Sequence, residues 1–397
     1  MRRLAVTIVV ACVVASAVLW PRRGFSHETL TTTVLFDREI VRILNKHCVM
    51  CHVENGPSFP LATYEQTWLQ GRKVRAEVIA RHMPPWAAVP GYGQFANDNG
   101  LTLRETQFVV SWVEGLGPRN AGTVFTNVAN SSAPRKDVRA SLDFGRWQLG
   151  EPGLTRPLPA ASVEATGAAG TRRVVVDLGL TFERMVRAIE YQPGDRRLVR
   201  AADFSVQETG QWLGSWTPWY GWVSLPSGVA YRLPAGAHIA ADFHYGSTNA
   251  RSVEQGALGL FFADQPSPNS VSDLVLVGKG AALVAGRAER IHAKTVLTEA
   301  ASVLALRFEP ARGVQSLEVA ARRPDGGTEI LLLVKEPPIE WPTPYILKEP
   351  VKLPRGTRLS FTAYRASNAV VPAQGEIRLV VSKYETTTRI PRGRPGR

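Results

Sequence analysis

Cysteine is nearly absent from this chain: three residues among 397, at Cys12, Cys48 and Cys51. That scarcity excludes a disulfide-stapled scaffold. Methionine is sparse too, with four residues. Acidic side chains are in deficit, 34 Asp and Glu against 47 Lys and Arg, which leaves a formal net charge of +13. A basic surface suits nucleic acid, anionic lipid or an acidic protein. The cations are scattered, however, with only small groups such as Arg22-Arg23, Arg196-Arg197 and the tail from Arg389. No zinc finger, aromatic RNA-binding signature or basic helix accompanies them, so nucleic acid is not an expected partner. Also missing are a Ser/His/Asp signature, a phosphate-cradling glycine loop and a supported paired-carboxylate motif.

What is present is enough apolar material for real cores, 44% of the residues, and a length that suits two or three domains. Residues 1–26 read as a signal peptide or N-terminal anchor. Arg2 and Arg3 precede an uncharged run from Leu4 to Trp20, and Ala15-Ser16-Ala17 offers a small-residue cleavage site. Retention as a short membrane anchor and lipidation at Cys12 are the competing readings. All three place the mature chain in the periplasm or otherwise outside the cytoplasm.

Residues 30–118 read as helix-rich. Asp37 is expected to cap a helix carrying Ile40, Val41 and Leu44. Thr63 with Gln66, and Thr102 with Glu105, form capping boxes that open two more helices, and Gly117-Pro118 stops the last. Residues 119–142 carry linker chemistry, rich in Asn, Gly and Ser. From 143 to 385 short β-branched runs alternate with Gly and Pro turns, a pattern of β-sandwiches, with a break at Gln265-Pro266-Ser267-Pro268. Two sandwiches, 143–270 and 271–385, are expected. The basic Pro/Gly-rich stretch 386–397 reads as a disordered tail.

Cys48-Val49-Met50-Cys51-His52 is the C-x-x-C-H pattern of c-type haem attachment. Two thiols on one turn add across the two porphyrin vinyl groups, and the adjacent imidazole reaches the iron from one face. A zinc site needs two further ligands, and no other thiol remains in the mature chain. A redox dithiol normally sits in a βαβ context, which is missing. One covalent haem c on Cys48 and Cys51, with His52 as axial ligand, is therefore expected. Met83, in His82-Met83-Pro84-Pro85-Trp86, is the expected second axial ligand, with His82 its rival.

The stretch from Asn45 to Pro118 resembles the small cytochrome c module of bacterial copper type II, ascorbate-dependent monooxygenase-like proteins. The matching features are NKHCVMCH, HMPPW, Pro90 to Gly93 with Phe95, and the closing helix with Trp112. Residues 143–385 resemble the two-sandwich body of the same family, the peptidylglycine hydroxylase and dopamine β-monooxygenase fold. Here the matches are Leu233 to Gly236, Phe243 to Gly246, Pro324 to Gly326, Trp341, Tyr345 and Pro350 to Thr357. The implied fold class is multidomain: a small all-α cytochrome c domain followed by two all-β, jelly-roll-like sandwiches.

The resemblance also implies two copper sites, held by three His and by two His with a Met. Five of those six ligands are missing. Arg200-Ala201 and Phe308-Glu309-Pro310 stand where histidines are expected, and no Met follows Met185. His244 alone is left, as a vestigial copper ligand; His238 and His292 are spare. Copper is therefore not expected. The leading reading is an exported c-type cytochrome that transfers electrons, with a copper-free β region for docking or binding. Its expected partner is an exported redox protein or a ligand-complete monooxygenase, of acidic surface. The alternative is a copper- and ascorbate-dependent monooxygenase supplied by its own haem. Trp212, Trp216, Trp219 and Trp222 with Tyr220 are either an aromatic binding surface or packing between sandwiches.

Overall fold

The computed structural model describes residues 32–120 and 146–385, apart from 55, 57, 164–169, 247–250, 266, 268, 282–283, 309–312, 367 and 369–374. The export or anchor segment 1–26, most of the linker 119–142 and the tail 386–397 lie outside the described residues. Among the described residues no helix is long and apolar enough to cross a membrane.

The first described element is a π-helical turn, Phe36–Ile40, running into α1 (Val41–His47); α2 (Tyr64–Ile79) and α3 (Leu103–Glu114) follow. Both threonine capping boxes form: the Thr63 and Thr102 hydroxyls accept from the Gln66 and Glu105 N–H groups, whose side chains reach back. Asp37 does not cap. The first turn has no side-chain cap of the expected kind, and the Glu39 carboxylate takes the Leu35 N–H instead. Phe36, Ile40, Leu44, Val109 and Trp112 bury a small cluster between these elements.

Nineteen strands follow among the described residues. The first eight are β1 (Leu154–Pro157), β2 (Ala161–Val163), β3 (Gly170–Asp177), β4 (Arg184–Gln192), β5 (Val199–Val206), β6 (Trp212–Trp216), β7 (Trp222–Ser224) and β8 (Val229–Leu233). Then come β9 (His238–Tyr245), β10 (Ser252–Glu254), β11 (Ala257–Phe262), β12 (Asn269–Lys279), β13 (Glu289–Val296) and β14 (Ala301–Phe308). The last are β15 (Val314–Arg322), β16 (Thr328–Lys335), β17 (Tyr345–Leu353), β18 (Arg358–Arg365) and β19 (Glu376–Glu385).

A nine-stranded sheet, β1-β11-β4-β8-β12-β19-β14-β17 with β7 beside β4, carries two four-stranded sheets, β3-β9-β5-β6 and β13-β18-β15-β16. Each four-stranded sheet closes one large core. Period-two alternation buries Leu317, Val319 and Ala321 of β15, as a half-buried antiparallel strand requires. β14 is buried along nearly its whole length, Leu304 into the first core and Val303, Leu306 and Phe308 into the second. The halves of the long sheet meet through a parallel β8–β12 contact only two residues long, Val229 with Asn269 and Ala230 with Ser270.

The expected small all-α cytochrome c domain followed by two β-sandwiches is corrected by this architecture. The molecule is mostly β, with only three short helices among the described residues, and one continuous sheet serves both cores. The segment between α2 and α3 is also not part of a separate helical unit. The Val89 N–H donates to Leu333 O (2.8 Å) and the Lys335 N–H to Ala87 O (3.1 Å), which pairs the segment with the edge of β16. The Ala96 N–H donates to Ile346 O (2.7 Å) and the Lys348 N–H to Gln94 O (2.9 Å), which pairs it with β17. Trp86, Ala88 and Phe95 sit inside the second β core, with Trp86 and Phe95 both against the Tyr345 ring. An open strand edge offers unpaired N–H and C=O groups, and this loop fills two such edges, one in each layer.

Candidate haem-attachment site

α1 ends at His47, and the chain makes one more turn. Cys51 and His52 both donate their N–H groups to the Cys48 carbonyl, at 3.1 and 3.0 Å. This places the two cysteines on one turn, unbridged and half-buried, with His52 directly after them. Burial pushes the Cys48 thiol up to about 12, and Cys51 and Glu105 add to the rise. Burial also takes Cys51 to about 12, against an opposing pull from the Arg196 and Arg200 guanidiniums. Both are neutral thiols at neutral pH.

The His52 ring is fixed from two sides. Its Nδ1 lies 2.8 Å from the Phe59 carbonyl oxygen, and the two rings meet at 4.8 Å. A carbonyl oxygen only accepts, so Nδ1 carries the proton and Nε2 keeps a free lone pair. Burial lowers the His52 pKa, so the ring is neutral at neutral pH. A neutral imidazole whose second nitrogen is held by a backbone carbonyl is the form that ligates a metal. Two unbridged thiols on one turn beside an oriented imidazole fit a covalent haem: Cys48 and Cys51 would tether it and His52 would ligate its iron.

Met83 is placed less directly. It follows α2 on an exposed loop, 38% accessible, and its N–H donates to Glu77 O (3.4 Å). Among the described residues no hydrogen bond or ring contact joins it to His52. The rival His82 is exposed and pairs with Glu77 (3.1 Å).

A cavity of about 320 Å³ opens beside the attachment turn. Met50 and His47 line one wall, Asn97 and Asn99 another, and Trp219 and Tyr220 of the β region a third. A tight turn presents the last pair, since the Thr217 and Tyr220 backbones bond each other twice, at 2.9 and 3.0 Å. Trp219 Nε1 donates to Asn97 O (3.1 Å), and its ring meets Trp341 at 6.0 Å. Asn97 is itself locked: its amide donates to Pro344 O (2.6 Å) and its Oδ1 accepts from the Ile346 N–H (3.1 Å). Arg196 donates to Pro218 O (2.6 Å) and lies over the Trp216 ring. Arg200 pairs with Glu340 (2.6 Å) and lies over Trp341. Sequence reasoning missed Arg196, Arg200, Asn97 and Trp341 as neighbours of the attachment motif. The tryptophan density was visible, but it splits into roles: Trp212 and Trp216 are core, while Trp219 faces the cavity.

His244 lies on β9 opposite Thr171 and Ala201, and its pKa is lowered by burial, against the Asp203 and Asp242 charges. His238 is bound to Glu208 and His292 to Thr362, at 2.8 and 3.1 Å. Among the described residues no three His, Cys, Asp or Glu side chains gather closely enough to hold a metal ion.

No family model matches the chain, and no curated protein matches it. Solved structures align weakly. The major capsid protein P2 of bacteriophage PM2 aligns at 10% identity and a TM-score of 0.27, covering 60% of this chain and 99% of that one. PNGase F, a glycosylasparaginase from Flavobacterium meningosepticum, aligns at 12% identity and a TM-score of 0.23, covering 57% of this chain and 96% of that one. Likeness at that level carries no argument about fold or activity.

Proposed function

We propose that this is an exported c-type haem protein that transfers single electrons. One haem would be held covalently by Cys48 and Cys51, with His52 and Met83 as the residues that would ligate its iron. The β region serves as a copper-free docking module for an exported acidic redox partner. The observation that carries the reading is the His52 ring, set by the Phe59 carbonyl so that Nε2 is free, one residue after two unbridged thiols. A haem iron supplies a one-electron couple. Cys48 and Cys51 would tether the group, and the Phe59 carbonyl would orient the His52 imidazole that ligates it.

The test is the haem content and spectrum of the protein purified from a host that exports it and attaches haem. One covalent haem per chain is expected. Cys48→Ala with Cys51→Ala abolishes covalent attachment, and Met83→Ala removes a near-infrared sulfur-to-iron band of the oxidised protein. A wild-type chain without haem sinks the proposal. Because the chain carries a formal net charge of +13, electron exchange with an acidic partner slows as ionic strength rises, which stopped-flow mixing measures.

A further inference from the structure

The cavity beside the attachment turn is lined by Met50 but not by Cys48, Cys51 or His52. It therefore lies apart from the three groups that would hold haem. Its volume of about 320 Å³ is at the low end for small-ligand sites, about 300–1,000 Å³. At about 30 Å³ per water it equals roughly ten waters. That is room for one sugar-sized ring and far too little for haem. Four polar side chains of the lining keep unused hydrogen-bonding capacity among the described residues. Asn99 is only 4% accessible; its Oδ1 faces the His47 ring at 3.2 Å, and its Nδ2 donates to nothing. Asp98 spends Oδ1 on the Gly100 N–H (2.7 Å) and leaves Oδ2 open. The Asn45 amide and the Tyr220 hydroxyl make no hydrogen bond. Trp219 adds an aromatic wall, fixed by its bond to Asn97 O and its contact with Trp341.

A buried amide without a partner is costly unless the occupant of the cavity bonds it. Amides and a phenol donate and accept, and a carboxylate accepts. Hydroxyl groups do both, so a ligand with several adjacent hydroxyls satisfies this set as water does. The Trp219 ring calls for an apolar face as well. A pyranose supplies both, with hydroxyls around its rim and C–H groups on a face. An anion is not favoured, because the cations of the lining are engaged: Lys46 pairs with Glu105, and His47 sits between Asn99 and Glu105. We propose that this cavity binds one neutral sugar unit, its C–H face on Trp219 and its hydroxyls bonded to Asp98, Asn99, Asn45 and Tyr220. The site joins the helical segment to the turn between β6 and β7, and it does not depend on haem.

The experiment titrates the full-length protein, as purified from an exporting host, with glucose, galactose and N-acetylglucosamine, and follows each sugar by saturation-transfer NMR. Saturable binding of at least one, with a Kd on the order of millimolar or tighter, is expected. Asp98→Asn keeps the bond to the Gly100 N–H but turns the open acceptor into a donor, and it weakens binding about tenfold. Trp219→Leu removes the aromatic wall and abolishes measurable binding, whereas Trp219→Phe keeps a ring and retains most of it. Asn45→Ala removes an exposed, unpartnered amide and weakens binding several-fold, so it remains informative even where the Trp219 variants fail to fold. Trp68→Leu changes an exposed tryptophan outside the cavity and leaves binding unchanged. Tetramethylammonium and glucuronate serve as the charged probes. Binding of either one in preference to the neutral sugars overturns the proposal, as does the absence of binding by all three sugars or an equal loss in Trp68→Leu.

Discussion

Glu105 shows how much one side chain joins at this site. It closes the capping box of α3 through Thr102, reaches the buried His47 ring at 3.3 Å and pairs with Lys46. Burial alone would raise its pKa, but the hydrogen bonds from Thr102, with the His47 contact, outweigh it and hold the carboxyl down to about 2. A carboxyl whose pKa is lowered in the folded state stabilises that state above its ordinary value, 4.5, and the contribution is lost as pH falls from there toward about 2. Glu105→Gln keeps the cap and removes the charge. The melting temperature of the variant should therefore fall less steeply between pH 4.5 and 2 than that of the wild type, with a lower plateau near pH 7. Parallel acid slopes would contradict this. The capping half of Glu105's role was legible, because Thr and Glu three apart before an apolar run is a local signal. Its bond to His47 was not, because those residues are 58 apart. The C-x-x-C-H motif was equally legible, yet the Phe59 carbonyl that sets the His52 tautomer carries no signal in a side chain.

Among the elements, the loop from Ala87 to Ala96 departs furthest from its sequence reading. Its Pro and Gly content signals a turn, and Gly91 and Gly93 do adopt positive φ, +92° and +76°. What sequence cannot signal is that both flanks pair with strand edges more than two hundred residues away, on β16 and β17. Gly93 is where this pairing is tightest: a Cβ there would collide with the Leu331 carbonyl oxygen and the Phe95 ring. Gly93→Ala combines left-handed backbone strain with that collision, and should cost about 2–4 kcal/mol in chemical denaturation. Gly91→Ala has the same backbone cost but meets nothing within 4 Å, so it should cost about 1 kcal/mol. Equal effects at the two glycines would mean that the close approach to Leu331 contributes nothing. The short β-branched runs between 143 and 385 mark strands well where burial alternates, as in β15. Fully buried β6, rich in Trp and Gly, gave no period-two pattern to read.

At the scale of the molecule, the decisive question is whether residues 32–118 stand alone. Their private core is small, centred on Phe36, Ile40, Leu44, Val109 and Trp112. Trp86 and Phe95, two of the segment's large aromatics, are spent in the second β core instead. Burying one large apolar side chain is worth about 1.5–3 kcal/mol, so exposing this pair removes about 3–6 kcal/mol. A domain of this size has a total stability of about 5–15 kcal/mol, and small domains sit at the low end because they bury less of their surface. Four backbone hydrogen bonds to β16 and β17, and both Asn97 side-chain bonds, are lost as well. A fragment of residues 32–118 should therefore unfold without a cooperative urea transition and bind a hydrophobic dye, where the full chain prepared in the same haem state does neither. A cooperative, dye-free fragment would mean that the contacts with β16 and β17 contribute little to the stability of this segment. The same fragment with Trp86→Gln and Phe95→Gln separates two causes of failure. Recovered solubility without recovered cooperativity points to the lost β contacts, not to the exposed aromatics, as what the segment needs to fold.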